Sequence, residues 1–227
     1  MKKYLAFILL ISVLLLTGCD NPGTPKEIAQ SEPVESIPVE TEVTAVEIND
    51  YTEYEKLLAH DSEDRNWIYF SMGCLFSDPS EIPLNYLFYL GIGHPGSWND
   101  ISAESRAYLI AQEFMTDMDL QIMPRETIEQ ILINTFDIDL ANIIIPTEWD
   151  YIEAEDAYCS NHNDAYTPGQ FTITGITEYS NGRVEIHYTV DMFYDGKTGD
   201  IYDHPAMVLT LLRTDSGAWK ILSNMME

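Results

Sequence analysis

Basic residues are scarce in this chain. Only 11 of its 227 residues are lysine or arginine, whereas 38 are aspartate or glutamate, so the formal net charge is −27 at pH 7. Binding to nucleic acid and adsorption to anionic lipid both need clustered lysine and arginine. The composition therefore argues against a nucleic-acid partner and against attachment to a membrane through a basic patch.

Recognisable metal, nucleotide and catalytic motifs are also missing. No C-x-x-C or H-E-x-x-H spacing occurs. Residues 91–96 match G-x-G-x-x-G, but they follow a helical segment and contain a proline, whereas a dinucleotide site needs a strand before the loop. Asp195, Asp200 and Asp203 lack the ligand spacing of an EF-hand loop. We therefore expect no metal, no cofactor and no catalytic residue of a known type.

Long hydrophobic runs are confined to the amino terminus. Two lysines precede an apolar stretch at residues 5–16, and Leu-Thr-Gly then leads into Cys19. The stretch is shorter than the roughly 20 residues that a membrane-spanning helix needs. This arrangement resembles the signal peptides of bacterial lipoproteins, which are cut just before the cysteine. The resemblance implies that residues 1–18 are removed and that Cys19 carries a lipid. The protein would then be anchored on the extracytoplasmic face of the cell membrane.

Aromatic residues are missing from residues 19–47, which are rich in proline, glutamate, threonine and valine. Such a composition buries too little apolar surface to offset the entropy of ordering the chain. We therefore predict a disordered tether over residues 19–47. Residues 48–227 have the length and the apolar content of a single folded domain.

The hydrophobic pattern changes within that domain. Its first half has helical spacing, and Ser102 and Pro124 are each placed to begin a helix. Its second half alternates between apolar and polar residues, with strands expected near residues 170–178, 184–192, 206–213 and 218–223. Helices followed by strands that short turns connect predict an α+β fold, with the helices packed on an antiparallel β-meander.

Two stretches resemble known families. The strand that begins at Val208, the Asp-Ser-Gly turn and the Trp219-Lys220-Ile221 strand are similar to the final hairpin of NTF2-like (cystatin-like) domains. The tyrosine-rich sequence between Met123 and Tyr166 resembles a group of clostridial-type (Firmicute) lipoproteins. This second likeness implies a location and an architecture but no activity.

Two cysteines remain besides Cys19. Outside the cytoplasm, Cys74 and Cys159 can form a disulfide if their Cα atoms lie close enough, or each can be a small buried hydrophobic residue. Cys159 also stands near His162 and Asp164, a thiol, imidazole and carboxylate within one segment. We expect an ordinary loop there rather than a nucleophile or a metal site, because no ligand spacing supports either one.

The wealth of aromatic residues suggests a place for a ligand. Aromatic side chains with polar tips suit a small-molecule pocket, and an NTF2-like sheet offers a concave face for one. The candidate binding residues are Tyr188, His187, Asp191 and Trp219. We expect a non-catalytic binding or interaction domain whose partner is an envelope protein or a small molecule. The alternative is an envelope hydrolase or a small-ligand-binding protein that uses an NTF2-like cavity.

Overall fold

The computed structural model describes residues 43–59, 66–91, 95–96, 98–117, 120–161, 169–195 and 197–227. The expected signal peptide, Cys19 and most of the expected tether lie outside these residues. In chain order the helices and strands are β1 (Ala45–Ile48), α1 (Thr52–Leu58), α2 (Trp67–Ser71), α3 (Leu84–Gly91), β2 (Pro95–Gly96), α4 (Ala103–Ala111), β3 (Leu120–Pro124), α5 (Arg125–Ile131), β4 (Asp150–Ile152), β5 (Ala157–Asn161), β6 (Phe171–Tyr179), β7 (Arg183–Val190), β8 (Met192–Tyr194), β9 (Ile201–Asp203), β10 (Ala206–Arg213) and β11 (Trp219–Met226). Helices and antiparallel sheets are thus combined in one chain, and the α+β class is confirmed.

The larger sheet has five strands in the order β1-β6-β7-β10-β11, and each strand is antiparallel to its neighbours. Buried and half-buried residues alternate strictly along β7. Val184, Ile186 and Tyr188 face the core, whereas Glu185 and His187 lie on the opposite face. The period of two in the sequence predicts this arrangement. The short β8–β9 hairpin lies between β7 and β10 in the chain and forms a sheet of its own.

A second sheet of four strands, in the order β2-β3-β5-β4, was not expected from the sequence. It occupies part of the half that the hydrophobic pattern predicts to be helical. Helix α4 begins at the predicted Ser102 cap but ends at Ala111, and Glu113 then adopts a left-handed φ of 67°. The prediction failed because β3 is a nearly continuous buried run, which periodicity alone does not distinguish from a helix.

The apolar side chains form two clusters. The larger one fills the space between the five-stranded sheet and α1, α2, α3 and α5, and the smaller one lies beside β3 and β5. Cys74 belongs to the larger cluster and Cys159 to the smaller one, and both are free thiols. The disulfide considered from the sequence is therefore not formed, and both cysteines are buried hydrophobic residues. None of the helices in the described part of the chain is long and apolar enough to cross a membrane.

The ordered fold begins earlier than the sequence suggests. Three of the four residues of β1 lie within residues 19–47, which we expected to be disordered, yet Ala45 pairs with Tyr179 and Glu47 pairs with Thr177. Most of its side chains are exposed. An edge strand held mainly by backbone hydrogen bonds carries little hydrophobic signal, which explains the incorrect boundary.

This boundary leads to a prediction about truncations. Deleting residues 20–42 is expected to leave the melting temperature of the unlipidated protein unchanged, because β1 is retained. Deleting residues 20–47 removes most of β1 and its hydrogen bonds to β6, and we expect a loss of about 1–2 kcal/mol. Thermal denaturation of both variants measures the difference. Equal melting temperatures would show that β1 contributes nothing to stability.

Candidate functional site

The four residues that the sequence analysis names as candidates for ligand binding do not lie together in one site. Tyr188 and His187 are adjacent in β7, so their side chains lie on opposite faces of the sheet. Tyr188 is fully buried, and its hydroxyl donates a hydrogen bond to Asn224 Oδ1 at 2.8 Å. Burial raises the pKa of Tyr188, which keeps the phenol neutral. Tyr188 is therefore part of the core and not of a binding site.

The other three candidates are dispersed. His187 contacts the carboxylate of Glu227 and lines an open, polar groove of about 410 Å³ on the outer face of the larger sheet. Asp191 is exposed beyond the end of β7. Trp219 is half-buried, and its ring centroid lies 6.3 Å from that of Tyr54. The four candidate binding residues therefore lie at separate places in the fold.

The inner face of the larger sheet is filled by side chains. Tyr188, Phe88 and Phe136 are among the largest fully buried residues, and they belong to one continuous apolar cluster. Tyr108 on α4 is 45% exposed and does not belong to this cluster. Tyr188 and Phe88 therefore belong to the core, whereas Tyr108 lies at the surface.

The thiol of Cys159 is not set up for nucleophilic attack. Burial raises its pKa to about 12, and the charges of Glu155 and Asp150 act in the same direction. An activated thiol needs the opposite, a neighbour that favours the thiolate. Its expected neighbours in sequence, His162 and Asp164, lie outside the described residues. Burial raises the pKa of Cys74 to about 12 as well.

Carboxylates that resemble cation ligands in the sequence have structural partners instead. Asp195 accepts hydrogen bonds from the backbone of Lys197 at 2.9 Å and from Thr198 Oγ1 at 3.0 Å, which closes the β8–β9 turn. Glu155 accepts hydrogen bonds from the backbone of Ser102 at 2.9 Å and from Ser105 Oγ at 2.7 Å, and the backbone bond lowers its pKa. Within the described ranges, no three histidine, cysteine, aspartate or glutamate side chains are placed to hold a metal ion.

The surface feature that the sequence analysis missed is a ridge at Leu140–Pro146, which we call the Ile144 ridge. The short 3₁₀ turn Leu140–Asn142 begins it, and Pro146 ends it. Ile144 is 86% exposed, whereas Leu140 and Ile143 are buried and anchor the ridge to the core. The run Ile143-Ile144-Ile145 reads as core in a sequence, because nothing in it indicates that the middle residue points outward.

Two grooves flank this ridge. The first, of about 730 Å³, runs between Pro83 and Glu148 and includes Ile144. The second, of about 380 Å³, we call the tyrosine groove. Ile145 lines both, so the two grooves adjoin along the ridge. The tyrosine groove is lined by Arg125, Glu129, Leu140, Ala141, Ile143, Ile145, Tyr151 and Tyr158.

A row of aromatic rings supports the tyrosine groove from the core outward. The centroids of Phe88 and Trp149 are 5.9 Å apart, those of Trp149 and Tyr158 are 6.0 Å apart, and those of Tyr158 and Tyr151 are 5.2 Å apart. Tyr151 is 39% exposed at the outer end of the row. Its hydroxyl donates a 2.6 Å hydrogen bond to Asp156 Oδ1, which raises the pKa of Tyr151. The exposed Tyr151 ring is therefore held in place by its contact with Tyr158 and by the hydrogen bond of its hydroxyl to Asp156.

The polar rim of the tyrosine groove comes from the start of α5. Arg125 Nε donates a hydrogen bond to Glu129 Oε1 at 2.8 Å, one turn along the helix, and both side chains are partly exposed. The backbone N–H of Arg125 donates to the carbonyl of Asp156 at 3.0 Å, which joins the helix to the loop before β5. A donor and an acceptor thus stand side by side at the edge of an aromatic surface.

Comparisons with known proteins leave the chain without a family: no protein family, no curated protein and no solved structure matches it significantly. A fold alone does not determine a function. The function of this protein is therefore inferred from the chemistry of the surface around the Ile144 ridge.

Proposed function

We propose that this protein is a lipid-anchored protein of the cell envelope whose folded domain binds a partner without catalysing a reaction. The Leu-Thr-Gly-Cys19 sequence, which resembles the cleavage site of lipoprotein signal peptides, supports a lipid anchor at Cys19. The apolar segment before it is too short to span a bilayer comfortably. The composition of residues 20–42 supports a tether between the membrane and the domain.

The observation that carries the binding role is the exposed Ile144 ridge between its two grooves. Binding surfaces combine exposed aliphatic and aromatic side chains with arginine, and their centres are depleted of other charged residues. Ile144, Tyr151 and Arg125 supply these three chemistries on adjoining surfaces. A filled core beneath them holds the surface rigid, which lowers the entropy that a partner must remove on binding.

We further propose that the domain is a variant of the NTF2-like or cystatin-like fold. The helices that cover one face of the larger sheet and the closing β10–β11 hairpin support this assignment. The alternative function, a hydrolase or a small-ligand-binding protein with an NTF2-like cavity, has less support. Tyr188 and Phe88 are fully buried in the apolar cluster that packs on the larger sheet, which disfavours a cavity there.

The proposed function is tested by photocrosslinking in cells that produce the full-length protein. A photoreactive residue at Ile144 is expected to give a covalent adduct of higher mass, because the ridge would lie against the partner. The matched control is Ile110 on α4, which is 50% exposed but lies outside both grooves. The adduct is identified by mass spectrometry after purification from membranes.

The same cells test the anchor. Cys19→Ala is expected to move the protein from the membrane fraction to the soluble fraction and to abolish any adduct with a membrane-bound partner. Equal adducts at Ile144 and Ile110, or none at Ile144, would overturn the binding role. Cys19→Ala protein that stays in the membrane fraction would overturn the lipid anchor.

A further inference from the structure

The tyrosine groove has the chemical composition of a sugar-binding surface. Its exposed Tyr151 ring is a flat, fixed platform, because Tyr158 packs against one side of it and Asp156 holds its hydroxyl. An apolar C–H face of a sugar ring packs well on such an aromatic face. A ring that is already immobilised loses little conformational entropy when a ligand covers it.

The polar rim fits hydroxyl groups. Arg125 brings several N–H donors and Glu129 brings carboxylate oxygens that accept hydrogen bonds, and the two side chains are joined at 2.8 Å. Two neighbouring hydroxyls of a sugar can each donate a hydrogen bond to a carboxylate and accept one from a guanidinium. Leu140, Ile143 and Ile145 also line the groove and give it an aliphatic wall. This wall suits the methyl group of an acetamido substituent.

The charges in the groove favour a neutral ligand. Arg125 and Glu129 neutralise each other, so neither an isolated positive charge nor an isolated negative charge lines the groove. An anionic ligand would meet Glu129 in the groove, Asp156 bonded to the Tyr151 hydroxyl, and the field of a chain with a net charge of −27. A cationic ligand would meet the Arg125 guanidinium. A neutral, hydroxyl-rich molecule avoids both penalties.

We propose that the tyrosine groove binds a neutral oligosaccharide that contains N-acetylhexosamine. One sugar ring stacks on Tyr151, its hydroxyls bond to Arg125 and Glu129, and its acetamido methyl contacts the aliphatic wall. This inference rests on the proposed function, since it names the ligand class for the binding surface described there.

The experiment measures binding of chitotetraose, the β-1,4-linked tetramer of N-acetylglucosamine, to the unlipidated protein by calorimetry and ligand-observed NMR. We expect saturable binding by the wild type. Tyr151→Ala is expected to weaken it about ten-fold or more, as truncation of a central aromatic contact does. Tyr108→Ala removes a comparably exposed tyrosine elsewhere and is expected to leave the affinity unchanged. Circular dichroism verifies that both variants fold.

A matched ligand and a matched substitution sharpen the result. Cellotetraose lacks the acetamido groups and is expected to bind several-fold more weakly, whereas equal affinity would overturn the contact with the aliphatic wall. Absence of chitotetraose binding, or undiminished binding by Tyr151→Ala, would overturn the oligosaccharide assignment. Adducts at Ile144 together with absent chitotetraose binding would overturn this inference alone and leave the proposed function standing.

Discussion

Replacing Asn224 with alanine is expected to lower the free energy of unfolding by about 3 kcal/mol, because it leaves several buried polar groups without partners. Asn224 is fully buried on β11. Its Nδ2 donates to the carbonyl of Cys74 at 2.8 Å and lies 3.3 Å from that of Met72, and its Oδ1 accepts from the Tyr188 hydroxyl. One amide therefore joins β7, β11 and the turn after α2. Urea denaturation measures the loss.

Two variants separate the causes of this loss. Tyr188→Phe removes one hydroxyl while keeping the ring, and we expect an effect of about 1 kcal/mol. Ser223→Ala changes the neighbouring side chain, which is only half-buried, and is expected to stay within about 0.5 kcal/mol of the wild type. A loss below about 1 kcal/mol for Asn224→Ala would show that water or a shifted backbone satisfies the groups left behind.

The free energy of unfolding is also expected to fall steeply between pH 9 and pH 12. The pKa values of Cys74 and Cys159 are raised from 9.0 to about 12 in the folded protein. A group whose pKa is raised by folding stabilises the protein fully below its unfolded pKa, and that stability is lost as the pH rises towards the folded value. A shift of this size corresponds to about 4 kcal/mol for each thiol. Chemical denaturation at a series of pH values measures the slope.

The control for this slope is the double variant Cys74→Ala and Cys159→Ala. It is less stable at neutral pH because two buried side chains are shortened, but its stability is expected to change little between pH 9 and pH 10. Above pH 10 a dependence of similar size remains in this variant, since burial also raises the pKa of Tyr54 and Tyr188, so the thiols are tested between pH 9 and pH 10. A wild-type curve that is flat from pH 9 to pH 10.5 would contradict a thiol origin.

Four strands of the larger sheet, β6, β7, β10 and β11, could be predicted from the sequence because a simple rule governs them. β7 and β10 each have one face on the core, so buried and more exposed residues alternate without interruption. The cap of α4 could be predicted for a similarly local reason: Ser102 Oγ accepts from the backbone of Ser105 at 3.1 Å, only three residues away. Where one local interaction determines an element, its sequence pattern is visible.

The second sheet and the candidate site depend on contacts between distant residues. β3 pairs with β5, and neither strand has an alternating pattern that would reveal the pairing. Arg125 and Tyr151 meet in the tyrosine groove because β3 and β4 both pair with β5 and the backbone of Arg125 bonds to Asp156. Local sequence patterns do not report such pairings, so the site residues predicted from composition are dispersed between the core and the surface.

The position of β1 at the edge of the larger sheet determines how the protein responds to force. In the proposed anchored protein, a pull between the membrane and a bound partner would enter the domain at Ala45 and act first on the hydrogen bonds between β1 and β6. Those bonds are backed by few buried side chains, so they would yield before β7, β10 and β11. The detached strand would lengthen the tether by roughly 3.3 Å per residue and absorb the strain. β1 would thus detach at a lower force than the rest of the sheet, so that the binding surface keeps its shape while the cell envelope deforms.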